Sequence, residues 1–224
     1  MADDMNPEKL LIKVCGMKDA GNRRQLEELP VDLFGFIFYP PSPRHAGDLS
    51  RTALQELADT LKMKAGVFVN ESTGRISAIS RLAGLTHIQL QGNETVAECR
   101  ELSDMGLSVI KAFRIGYDFD FHSTRGYEGH CSYFLFDTQA EVAGGSGKKF
   151  NWEMLENYTG DTPFFLSGGI GPGDAGLICR FSHPRLAGLD LNSGFEDAPG
   201  LKNPEKLKYF LEQIQQNHSK SENH

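Results

Sequence analysis

Eight short apolar runs follow one another along the chain, and that rhythm restricts the possible folds more than any other feature. They are "LLIKVCG", "LFGFIFYP", "AGVFVN", "HIQLQG", "SVIKAFRI", "YFLFDT", "PFFLSGG" and "LAGLDLNSG". Most are nearly continuous in Val, Ile, Leu and Phe, the pattern of parallel strands covered on both faces, and most end in a polar or glycine-rich turn. Stretches of helical character lie between most of them. "DAGNRRQLEELP" has Asp19 near its start and Pro30 after its end, and "DLSRTALQELADTLK" places Leu54, Leu57, Ala58 and Leu61 on one face. "NPEKLKYFLEQIQQ" opens with Pro204 in its first turn. Strand then helix, repeated, predicts an α/β fold, and eight strands in one domain favour a closed (β/α)₈ TIM barrel over an open sheet.

The helical period fails between Tyr117 and His130, a stretch rich in Gly, Asp and aromatics, so the fifth outer helix is expected to be short or replaced by loop. At 224 residues the chain suits one barrel, and no linker or composition break divides it. A single barrel domain is expected over residues 1–217, followed by a polar, frayed tail over residues 218–224.

Charge and cysteine usage exclude several classes. A net charge of −7 with no basic run leaves no footprint for nucleic acid or an anionic membrane. Cys15, Cys99, Cys131 and Cys179 are far apart, with no C-x-x-C pair and no His cluster, so neither a disulfide framework nor a metal site is expected. The acidic N-terminus lacks the regions of a secretory signal, and no apolar stretch reaches membrane-spanning length. The expected compartment is a reducing cytoplasm, where the Asn-x-Ser/Thr triplets at Asn70, Asn93 and Asn157 carry no sugar.

Barrels of this kind place chemistry at the C-terminal ends of their strands. Those ends read Cys15-Gly16, Pro41-Ser42-Pro43-Arg44, Asn70, Gln91-Gly92, Arg114, Asp137, Ser167-Gly168-Gly169 and Asn192-Ser193-Gly194. Glycine turns follow strands six, seven and eight, at Gly145-Ser146-Gly147, Gly168-Gly169 and Ser193-Gly194. Three such turns together suggest a phosphate cup, because glycine lets backbone N–H groups approach an anion closely.

Two other motifs fail on context. "GGSGKK" is no P-loop, since the first glycine would fall on Val142 and Lys149 replaces the Ser or Thr. "GPGDAG" fits G-x-G-x-x-G, but only one strand and one helix follow it, too little for a dinucleotide fold.

Lys13 and Cys15 share one face of the first strand, since side chains alternate. If that face is the barrel interior, Lys13 either lowers the thiol pKa from about 8.5 or pairs with a carboxylate such as Asp190 and braces the barrel. Asp137 closes an apolar run, where a carboxylate is costly unless bonded or partly solvated. Strands one and six are not neighbours in the ring, so Cys15 and Asp137 would face each other across the mouth, a geometry suited to a base and an acid. Arg44, in a loop stiffened by two prolines, could form a forked pair with a substrate carboxylate.

With those residues in place, the chain resembles the phosphoribosylanthranilate isomerases of tryptophan biosynthesis. The matching motifs are "KVCGM", "GFIFYPPSPRH", "GVFVN", "QLQG", "LFDT", "GGSGKKFNW", "LSGGI" and "LDLNSGFED" with Pro199-Gly200 and Lys202 beyond, in family order from Lys13 to Lys202. The resemblance implies a (β/α)₈ barrel acting as monomer or homodimer, with no cofactor and a small phosphorylated substrate. It implies an Amadori rearrangement of N-(5-phosphoribosyl)anthranilate to 1-(2-carboxyphenylamino)-1-deoxyribulose 5-phosphate, with Asp137 as general acid and Cys15 as general base. It further implies that Arg44 holds the anthranilate carboxylate, and that Gly145, Ser146, Gly147, Gly168, Gly169, Ser193 and Gly194 hold the phosphate. The chain departs from the family at "QLQG", where the usual pattern is Q-L-H-G. Gln91, the substrate-binding candidate at that position, can hydrogen-bond there but cannot carry charge or shuttle a proton. Ser146 for threonine and Asn203 for aspartate are milder changes. The rival expectations are a non-catalytic phosphosugar-binding barrel and another phosphate-binding barrel enzyme.

Overall fold

A computed structural model describes residues 10–47, 49–138 and 152–221. Eight parallel strands close into a barrel in sequence order: β1 Leu11–Cys15, β2 Leu33–Ile37, β3 Met63–Phe68, β4 His87–Leu90, β5 Ser108–Ile115, β6 Tyr133–Thr138, β7 Phe164–Ser167 and β8 Leu186–Leu191. Each coincides with one of the eight apolar runs, β3 beginning two residues ahead of its run. The ring closes where β1 meets β8, with Lys13 in register with Asp190. A small antiparallel pair, β9 Glu196–Ala198 and β10 Leu201–Lys202, follows β8 and sets Lys202 opposite Glu196.

Capping residues start the outer helices. Asp19 accepts from the Asn22 N–H at 2.7 Å to open α1 Ala20–Leu26, and Ser50 accepts from Ala53 to open α2 Arg51–Leu57. Thr95 and Glu98 form a reciprocal capping box at α4 Val96–Asp104, and α3 Thr73–Ala83 ends on Gly84 at φ 60°. The expected face of α2 holds for Leu54 and Leu57 but not for Leu61, which is 99% exposed. The helix stops at Leu57, and its period does not carry Leu61 to the core.

The fifth outer element is a 3₁₀ turn, Phe121–Tyr127, as the lost helical period predicts. The thinning extends further than expected. The described part of the next connection is another 3₁₀ segment, Trp152–Asn157, and β7 is followed by a 3₁₀ turn, Pro172–Asp174, and the single-turn α5 Ala175–Ile178. Aromatic side chains fill the space. Phe134 and Phe136, alternate residues of β6, face outward with Phe164 of β7 and meet Phe113, Phe121 and Tyr158 at ring separations of 5.0 to 6.2 Å. The closing helix α6 runs Pro204–Ser221, past the boundary expected at residue 217, because no Gly or Pro interrupts its backbone ladder. Among the described residues no helix is long and apolar enough to cross a membrane.

Inward positions follow the period of two. Leu33, Ala65, Ile110, Ala112, Leu135 and Phe165 form an inner core, while the outward faces join the larger core beneath the helices. Phe136 is fully buried within the aromatic layer. Phe136→Ala should lower the unfolding free energy by about 3–5 kcal/mol in chemical denaturation, whereas Leu61→Ser should stay within about 0.5 kcal/mol of the parent.

Candidate active site

A cavity of about 420 Å³ opens at the C-terminal ends of the strands. Cys15, Gln89, Leu135, Ser167 and Asp190 contribute its deeper lining, and Gln91, Arg114, Asp137, Asn192 and Ser193 come from the strand tips. The two loops after β7 and β8 supply Gly168, Gly169, Ile170 and Ser193. Gly168 and Gly169 adopt φ of 92° and 66°, which side chains rarely tolerate. Gly194 packs so closely on this turn that a Cβ there would lie 2.2 Å from the Ile170 carbonyl oxygen, so the two loops form one wall. Gly145, Ser146 and Gly147 lie outside the described residues.

Cys15 owes its place to two glycines. Gly35, its register partner on β2, leaves room for the sulfur, since a Cβ there would stand 2.9 Å from Cys15 Sγ. Gly16, at φ 76°, turns the chain directly after the thiol and lets the Arg44 side chain cross above it.

Lys13 takes the bracing role. Its Nζ donates to Asp190 Oδ1 at 2.6 Å, a buried ion pair to which Ser167 adds a hydroxyl on Asp190 Oδ2 at 3.3 Å. Its charge also acts on the Cys15 thiol. Burial alone would discharge the ammonium, yet Asp190 and then Cys15 hold its pKa above the ordinary lysine value.

The expected lowering of the thiol pKa does not survive burial. Desolvation pushes Cys15 up, with Asp190 adding to the rise, and the opposing pull of Lys13 and Lys202 does not cancel it. Asp137 is likewise raised, first by burial and then by Asp190, against Arg114, the Gln91 hydrogen bond and Lys13. The Gln91 amide donates Nε2 to Asp137 Oδ2 at 3.3 Å, and Gln89 donates Nε2 to Gln91 Oε1 at 2.6 Å.

Arg44 is engaged by the protein itself. Its Nε and Nη2 form a forked pair with Glu196, the closest contact being 2.7 Å. Glu196 also accepts from the buried Lys202 at 2.6 Å, and Lys202 reaches Asn192 at 2.7 Å. Burial tends to raise the Glu196 carboxyl, but these cations and the Gly200 N–H hold it below its usual value. Arg44 therefore stands next to the cavity rather than in its lining, with Nη1 outside the Glu196 fork. The Glu196–Lys202 network has no signature in spacing or periodicity. Its two members sit in the "NSGFED" stretch and on Lys202 beyond it, and only the β9–β10 pairing brings them together. Among the described residues no group of His, Cys, Asp and Glu is placed to hold a metal ion.

Residues 12–213 match the family model described as N-(5'phosphoribosyl)anthranilate (PRA) isomerase. The chain is 46% identical over 207 residues to N-(5'-phosphoribosyl)anthranilate isomerase of Phocaeicola vulgatus, covering 92% of this chain and 98% of that protein. It is 47% identical over 208 residues to the protein of the same name from Parabacteroides distasonis, covering 92% and 93%. Among solved structures it resembles phosphoribosyl anthranilate isomerase from Thermotoga maritima, with a TM-score of 0.79 and 28% identity over 93% of this chain and 100% of the other. A phosphoribosyl anthranilate isomerase in complex with reduced 1-(o-carboxyphenylamino)-1-deoxyribulose 5-phosphate matches with a TM-score of 0.79 and 26% identity, over 93% and 100%.

Two outcomes test the electrostatics. Asp190→Leu strands a buried ammonium and should cost about 3–5 kcal/mol of stability, much of it recovered in the Lys13→Met/Asp190→Leu double variant, as read by denaturation. Peptide-resolved alkylation should find Cys15 slow at neutral pH and faster as pH climbs past the ordinary thiol range, since its thiolate forms only there. A rate already at plateau near neutrality would contradict the raised thiol. The matched residues, the barrel and the arrangement of its mouth together place this chain in the N-(5'-phosphoribosyl)anthranilate isomerase family.

Proposed function

We propose that the protein catalyses the cofactor-independent isomerisation of N-(5-phosphoribosyl)anthranilate to 1-(2-carboxyphenylamino)-1-deoxyribulose 5-phosphate, a step of tryptophan biosynthesis in the cytoplasm. The observation that carries this function is one cavity lined by both Cys15 and Asp137, from strands that are not neighbours, with the glycine turns of β7 and β8 beside them. Asp137 donates a proton to the ribose ring oxygen as the bond from that oxygen to the anomeric carbon breaks. The nitrogen lone pair closes the protonated Schiff base. Cys15 then takes the proton from the adjacent sugar carbon, leaving an enolamine that tautomerises to the ketone. Atoms and charge balance, because one proton enters at the ring oxygen and one leaves carbon.

The raised pKa values define how the pair works. A thiol titrates far above a carboxyl, and burial lifts both, so between the two pKa values the pair holds one proton, mostly on Cys15. The reacting form carries the same proton on Asp137 instead. Both forms have equal proton counts, so the reacting fraction is constant between the two pKa values. Lys13 against the thiolate favours the reacting form.

Phosphate is held by backbone N–H groups of the Gly168-Gly169 turn and by Ser193-Gly194, and the family resemblance assigns Gly145, Ser146 and Gly147 to the same anion. Arg44 takes the anthranilate carboxylate through the guanidinium edge that Glu196 leaves free, while Glu196 and Lys202 fix its orientation.

The test is to add the protein to freshly made phosphoribosylanthranilate and follow loss of its fluorescence. Cys15→Ala and Asp137→Ala should each reduce turnover by about 10²-fold to 10⁴-fold or more, while a reduced product analogue still binds. The profile of kcat/KM against pH should be bell-shaped. Its acid limb marks Asp137 taking a second proton into the pair, and its alkaline limb, above the ordinary thiol range, marks Cys15 losing the last one. Near-normal turnover by Cys15→Ala would remove the thiol as base.

A further inference from the structure

Gln91 is oriented from behind. Its acceptor end is already occupied, because Gln89 donates Nε2 to Gln91 Oε1 at 2.6 Å. An amide side chain has one accepting and one donating end, so only the N–H end is left for Asp137, whose Oδ2 accepts at 3.3 Å. Gln89 is 3% exposed, and its own Oε1 is buried without a hydrogen-bond partner. Leaving an acceptor unmet in the barrel interior costs stability, so this orientation of Gln89 serves Gln91 rather than its own solvation.

We propose that Gln89 and Gln91 are positioning residues for Asp137, forming an amide chain that reserves Oδ2 as acceptor and keeps the transferable proton on Oδ1. The inference rests on the isomerase function given above. Gln91 stands where the resembling family usually has histidine. An amide does not titrate, so the order of donors and acceptors along this chain is the same at every working pH.

The charged groups facing Asp137 among the described residues are Arg114 on the adjacent strand, Lys13 from β1 and Asp190 from β8. None is altered by changing the two glutamines. Removing the Gln91 donor takes a hydrogen bond from the carboxylate form, which raises the pKa of Asp137 and moves the acid limb of kcat/KM to higher pH.

The experiment compares wild type, Gln91→Met and Gln89→Met for fluorescence turnover across pH and for melting temperature. Gln91→Met should lower kcat at least about tenfold, with a smaller change in KM, and shift the acid limb upward. Gln89→Met should shift the same limb in the same direction by less. Its melting temperature should be unchanged or higher, because the orphaned acceptor leaves with the donor. Wild-type kcat and acid limb in both variants would overturn the inference, as would a fall in melting temperature with an unmoved limb, the signature of a merely structural pair. Absence of turnover in the wild type would instead remove the isomerase function, and the inference with it, before any variant is made.

Discussion

The Lys13–Asp190 pair is the contact on which both barrel and site depend. It lies in the barrel interior, between the first and last strands, where their register brings the two residues opposite each other and closes the ring. A buried ion pair contributes little net stability compared with apolar side chains of the same shape, but it is costly to break on one side only. Its worth here is positional. Alternation along β1 puts Cys15 one step above Lys13 on the same face, so the charge that locks the seam also stands against the thiol.

Around that pair the site is a balance of burial against local charge. Desolvation favours neutral thiol and neutral carboxyl alike, which suits an acid but opposes a base. Lys13 and Lys202 act in the other direction on Cys15, and Arg114 on Asp137. The second ionic network, Arg44 to Glu196 to Lys202 to Asn192, stands beside the cavity and ties the loop after β2 to the β9–β10 hairpin. His87, the first residue of β4, has its pKa pushed down to about 4 by burial and by Lys13.

The outer layer shows a different compromise. Where the connections after β5 and β7 and the described part of the one after β6 are built of 3₁₀ turns or a single helical turn, the outward faces of β5, β6 and β7 carry aromatic residues, and ring against ring replaces helix against sheet. Large rigid side chains bury more area per residue than a helix of small ones, so the aromatic layer seals this side of the core. The alternation that sends Phe134 and Phe136 outward also sends Leu135 and Asp137 inward, which links the packing of this sector to the placement of the acid.

Eight strands, their order and the loss of the fifth helix were legible in the sequence, because continuous apolar runs and a missing 3.6 period are local signals. Leu61 was misplaced because a helix end depends on what the next residues pack against. Cys15, Gln91, Asp137, Gly168, Gly169 and Ser193 all line one cavity, as strand-end position alone predicts. Glu196, Lys202 and Gln89 were not singled out, since their importance lies in partners 6 to 152 residues distant or in the direction an amide points. The sequence by itself determined the barrel and the rim on which chemistry can sit, since both follow from periodicity. Tertiary structure alone decided the charge state of that rim: whether Lys13 lowers the thiol or braces the seam depends on burial and on the distance to Asp190, and only the closed ring sets those.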